Sequence, residues 1–118
     1  MSRKEKIIAN RDTAQNNFEM ALHNTAKSEA AVELYKAYRE GVTSLISERA
    51  KAGKHLQDIV ITYLPELEEL TESIIEAQIV LMEDKQKLKE TYEISMQADK
   101  VYFDMLEESR KGTAVYGN

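Results

Sequence analysis

Almost nothing in this chain interrupts a helix. Its 118 residues include one proline and four glycines. From Ser2 to Ala52 the only breaker is Gly41, and from Glu66 to Lys111 there is none. Ala, Glu, Lys, Leu and Arg supply 54 of the 118 residues, close to the composition of coiled coils and long helices. The expected fold class is therefore all-α. With no cysteine, disulfide scaffolds and thiolate metal sites are excluded.

The punctuation suggests where the chain turns. Ser2-Arg3-Lys4-Glu5 has the S-x-x-E pattern of a capping box, in which a serine hydroxyl and a glutamate carboxylate satisfy each other's backbone N–H groups. Gly53 follows Arg49 and Lys51 and precedes Lys54, so cations gather where a helix C-terminus carries partial negative charge. Apolar residues recur at heptad-like steps, as Phe18, Ala21, Val32, Tyr35, Val42 and Ile46 before this glycine. After Pro65 they run Leu67, Leu70, Ile74, Ala77, Leu81 and Leu88. Thr25, Ser28 and Arg39 occupy seam positions in the first series and Asp84 one in the second, so the seam is thin.

The expected architecture is a long antiparallel helical hairpin, coiled-coil-like, with residues 2–52 against 55–111 and the second arm kinked at Pro65. A three-helix bundle breaking at Gly41 and Pro65 is the alternative. The β-branched run Asp58–Tyr63 reads as a short buried helix leading into the kink. Gly112 reads as a stop, which makes residues 1–112 one domain and 113–118 a flexible C-terminal tail. Charge agrees with folding back: residues 1–55 carry ten Lys/Arg and seven Asp/Glu, whereas 56–118 carry six and fourteen. A turn near residue 54 would set Lys36 and Arg39 opposite Glu72 and Glu69.

One stretch exceeds what a lone hairpin can cover. Ile74–Met82 reads I-I-E-A-Q-I-V-L-M, apolar around most of the helix. A helix that is apolar all round is normally buried all round. Leaving each such side chain in water forgoes about 1.5–3 kcal/mol. The Ile59–Leu64 stretch has the same character. The expected protein interface is therefore Ile59, Val60, Tyr63, Leu64, Ile75, Ile79, Val80 and Met82. Glu66, Glu68, Glu69, Glu72 and Glu76 form an acidic docking strip beside it. Tyr35, Tyr38, Tyr92, Tyr102 and Phe103 read first as ordinary core aromatics and second as interface ones.

Chemistry is sparse. His23 and His55 lack the Glu three residues earlier that a di-iron carboxylate bundle requires, and no H-E-x-x-H, phosphate loop or G-x-S-x-G is present. Arg3, Arg11, Arg39, Arg49 and Arg110 are scattered rather than clustered around a candidate dicarboxylate. A formal charge of −5 speaks against nucleic-acid binding, which needs clustered cations. No apolar run approaches the length of a membrane span. The expectation is a non-enzymatic protein–protein interaction or assembly protein without cofactors or metal, self-associating as a homo-oligomer or docking on a helical partner, with a cytoplasmic location as the default. A small helical chaperone, adaptor or inhibitor of one partner is the alternative, and a small all-helical enzyme a more distant one.

Overall fold

In the computed structural model, which describes the backbone of residues 1–116 and the side chains of residues 1–112, the chain forms two α-helices, α1 (Arg3–Lys51) and α2 (Leu56–Tyr116). No strand occurs among the described residues. The antiparallel hairpin expected from the sequence is the fold found, and the three-helix alternative is not, because α1 continues through Gly41 and α2 through Pro65.

The N-terminal start signal works as its pattern implies. The Glu5 N–H donates to Ser2 Oγ at 3.2 Å, and the Ser2 N–H donates to Glu5 Oε2 at 3.4 Å. At the other end of α1, the Gly53 N–H donates to the Ala50 carbonyl at 3.2 Å and the Lys54 N–H to the Arg49 carbonyl at 3.4 Å. These two bonds form a Schellman motif, which occupies carbonyls that the ending helix leaves free. Gly53 has φ +85°, and it is the one described residue with positive φ. Helix α2 then begins with the Ile59 N–H donating to the His55 carbonyl at 3.2 Å. A Cβ at Gly53 meets nothing within 4 Å, so only backbone conformation restricts this site. Gly53→Ala is expected to cost about 1–2 kcal/mol, the left-handed penalty of an L-residue; thermal melts of the two chains measure it.

One boundary and one burial pattern differ from expectation. Helix α2 does not stop at Gly112 but runs on to Tyr116. A helical glycine costs only about 1 kcal/mol, and without the left-handed geometry seen at Gly53 it terminates nothing. Residues 113–116 of the expected tail are thus helical, and residues 117–118 lie outside the described residues. The Asp58–Tyr63 segment is not a buried helix either. Ile59 is buried at 4% exposure, whereas Val60 and Ile61 are exposed, because one neighbouring helix can cover only one side of α2.

The fold divides into two compact units, Met1–Asn24 with Lys85–Asn118 (unit 1), and Thr25–Asp84 (unit 2). Each is an antiparallel pair of segments of α1 and α2. In unit 2 the seam holds Val32, Val42, Ile59, Leu70 and Ile74, all buried. Its polar layer is built on Asp84, whose carboxylate accepts from Ser28 Oγ and whose backbone carbonyl accepts from Thr25 Oγ1 at 3.3 Å. Thr25, Ser28 and Asp84, which interrupt the apolar repeat, thus bond to one another, whereas Arg39 is exposed; no buried side-chain polar atom among the described residues lacks a partner. In unit 1 the seam holds Ile7, Ala14, Ala21 and Met105, with Phe18 and Tyr92 ring centroids 5.5 Å apart.

Candidate interaction surface

In unit 2, α2 turns Leu70, Ile74 and, half-buried, Ala77 and Leu81 toward α1. Their 4-3-4 spacing is that of a coiled-coil seam. The same helix must then direct the intervening residues outward. Ile75 and Ile79 are each 52% exposed and Met82 is 69% exposed. Val80 is also exposed, and it lines a groove with Ala31 and Tyr35 of α1. Ile75, Ile79, Val80 and Met82 thus lie outside the hairpin core, as do Val60 and Leu64 nearer the turn. Ile61, absent from the expected interface residues, is 64% exposed. Its spacing of eighteen residues, five full turns, from Ile79 returns it to the same side of α2.

Two expected interface residues belong to the hairpin instead. Ile59 is in the seam. Tyr63 is half-buried beneath the Arg49 guanidinium, which lies 5.5 Å from its ring centroid. Both positions face α1, and the apolar character of the segment concealed which side they take.

The acidic strip surrounds the outward apolar residues. Glu68, Glu69, Glu72 and Glu76 are exposed, whereas Glu66 is half-buried and accepts a hydrogen bond from Tyr38 Oη at 3.2 Å. From Leu56 to Asp84 the helix carries eight acidic residues, adding Asp58, Glu83 and Asp84 to these five, and no lysine or arginine. The expected pairs of Lys36 with Glu72 and Arg39 with Glu69 do not form. Ion pairs among the described residues join Arg3 to Glu108, Arg11 to Asp99 and Lys111 to Glu107. Arg39 borders a groove with Glu68 and Glu72. Exposed pairs gain about 0–1 kcal/mol, too little to hold long side chains in one geometry.

A charged cluster in unit 1 was not anticipated. Arg11 Nε–H donates to Asp99 Oδ1 at 2.8 Å, and its guanidinium lies 4.3 Å from the Tyr102 ring centroid and 5.8 Å from that of Phe103. The hydrogen bond to Asp99 raises the Arg11 pKa above its ordinary value, with the Asp99 charge adding to it against partial burial. The signal was present in the register. Arg11 falls four residues after Ile7 and three before Ala14, which puts a cation at a seam position that needs an anion across from it. The cluster is a structural tie: its cation is already paired and stacked. His23 and His55 are exposed, and no group of three or more potential metal ligands occurs among the described residues. No described helix is long and apolar enough to cross a membrane.

The outward surface of α2 in unit 2 thus presents apolar side chains among exposed carboxylates. Comparison with family models, with curated proteins and with solved structures gives no match for this chain.

Proposed function

We propose that this chain is a non-enzymatic protein-interaction module that works by burying the outer face of α2 in unit 2 against another helix. The observation that carries this reading is the exposure of Ile75, Ile79, Val80 and Met82 within one nine-residue stretch. Side chains of this size each gain about 1.5–3 kcal/mol on full burial, and contiguous exposed apolar patches mark interaction sites. The acidic residues around the patch keep it hydrated when free and orient what docks on it.

A double substitution tests the reading. Ile75→Glu with Val80→Glu is expected to leave helicity and the thermal midpoint close to wild type, since both side chains are about half exposed and neither belongs to the buried seam. The same change is expected to suppress binding of an environment-sensitive apolar dye and to abolish whatever association the wild-type chain shows. Circular dichroism, dye fluorescence and sedimentation velocity report the three properties. Dye binding and association that survive the double substitution overturn the reading. Self-association, the simplest form of such a module, is checked by sedimentation of the chain alone over a range of concentrations; a 13.5 kDa species throughout assigns the face to a different protein.

A further inference from the structure

Ile75, Ile79 and Met82 fall within about 60° of arc at about 100° per residue, forming a stripe directed away from α1. Along one edge of this stripe Glu69, Glu76 and Glu83 repeat at seven-residue steps, and all three are exposed. Along the other edge Thr71 and Gln78 stand seven residues apart without charge. An apolar stripe with one charged edge is how a coiled coil chooses its partner, because flanking charges on the two helices meet in register.

The geometry points to one kind of occupant: an amphipathic helix of another protein, carrying an apolar stripe with Lys or Arg at seven-residue steps along one edge. It lies on α2 so that its cations meet Glu69, Glu76 and Glu83. This rests on the interaction reading given above and adds the chemistry of the partner. A second copy of the chain fits less well. An antiparallel two-fold pairing along the stripe would set the glutamate row against itself, and α2 from Leu56 to Asp84 has no cation to relieve it. Helix α1 of unit 2 presents Glu33 and Glu40, again seven apart and exposed. Nowhere in the sequence do three Lys or Arg residues follow one another at seven-residue steps. The cationic edge that the stripe calls for must come from elsewhere.

The test uses the full chain and two labelled synthetic helices that share one apolar stripe. One has lysines at seven-residue steps along an edge, and its twin has glutamates at the same positions. By fluorescence anisotropy the lysine helix is expected to bind the wild-type chain about tenfold more tightly than its twin, because three charge pairs change sign. The triple variant Glu69→Lys, Glu76→Lys, Glu83→Lys is expected to reverse the preference, and Ile79→Glu to abolish binding of either helix. All substituted positions are exposed, and circular dichroism verifies that each variant folds. Equal binding of both helices that Ile79→Glu removes leaves the interaction face in place but overturns the assignment of a basic partner. So does an unchanged preference in the triple variant. A wild-type dimer that Ile79→Glu dissociates, with neither helix bound, gives the stripe to a second copy and also overturns the proposal. If neither helix binds and the chain stays monomeric, the interaction reading fails as well.

Discussion

Ile74→Ala is expected to lower the unfolding free energy by about 2–3 kcal/mol, whereas Ile75→Ala, one residue later, changes it by under about 0.5 kcal/mol. Ile74 is 6% exposed in the seam of unit 2 and Ile75 is 52% exposed on the outer face. Truncating a buried isoleucine removes its transfer free energy and leaves a cavity; truncating an exposed one does neither. The loss at Ile74 falls in the lower part of the range known for buried aliphatic side chains, because a two-helix seam has few surrounding atoms and can partly collapse. Urea unfolding of the two variants followed by circular dichroism measures the contrast. A similar loss at both positions would mean that the outer face is already covered in the isolated chain.

Pro65→Ala is expected to act in the other direction and stabilise the chain by about 2 kcal/mol. Pro65 lies inside α2, nine residues after its first residue. An interior proline costs about 3 kcal/mol relative to alanine, since it offers no N–H to the carbonyl four residues earlier and its ring crowds that carbonyl. That carbonyl belongs to Ile61, an exposed residue, so water can replace part of the missing bond. Proline also restricts the unfolded chain, which returns up to about 1 kcal/mol to the wild type. A raised midpoint in urea checks the sign. An alanine variant no more stable than wild type would show that the proline-bearing turn is held by contacts specific to its ring.

The helices were legible in the sequence because their evidence is local. Ser2 with Glu5, and Gly53 among Arg49, Lys51 and Lys54, are short patterns whose bonds close within a few residues, and the structure makes those bonds. Most of the heptad seam was legible too, down to its polar gaps at Thr25, Ser28 and Asp84, although Tyr35 and Arg39, expected in the seam of α1, are exposed. That these gaps face one another was not, because it depends on how two distant segments align. The same limit explains the missed tie between Arg11 and Asp99, 88 residues apart, and the expected Lys36 and Arg39 pairs that do not form. The seam position of Ile59 is not legible for a related reason: in a run of consecutive apolar residues, composition does not say which one the neighbouring helix covers. Gly112 misled because a glycine ends a helix only when the chain adopts the left-handed turn there. On the outer face of α2 the sequence was informative because the argument is circumferential. One neighbour shields one side of a helix, and Ile74–Met82 has apolar residues on more sides than one.

The left-handed glycine between the two helices bears on how quickly the hairpin assembles. Contacts across the pair span 28 residues for Tyr38 with Glu66, 56 for Ser28 with Asp84 and 88 for Arg11 with Asp99. Closing the longest loop first forfeits more chain entropy than closing the shortest, and each contact already formed shortens the gap to the next. Ordering is therefore expected to run outward from Gly53 like a zipper, with the reversal of direction as its seed. A residue that resists positive φ at this point delays the start while leaving the finished seam intact, so the penalty at Gly53 belongs to the folding rate and the unfolding rate is spared.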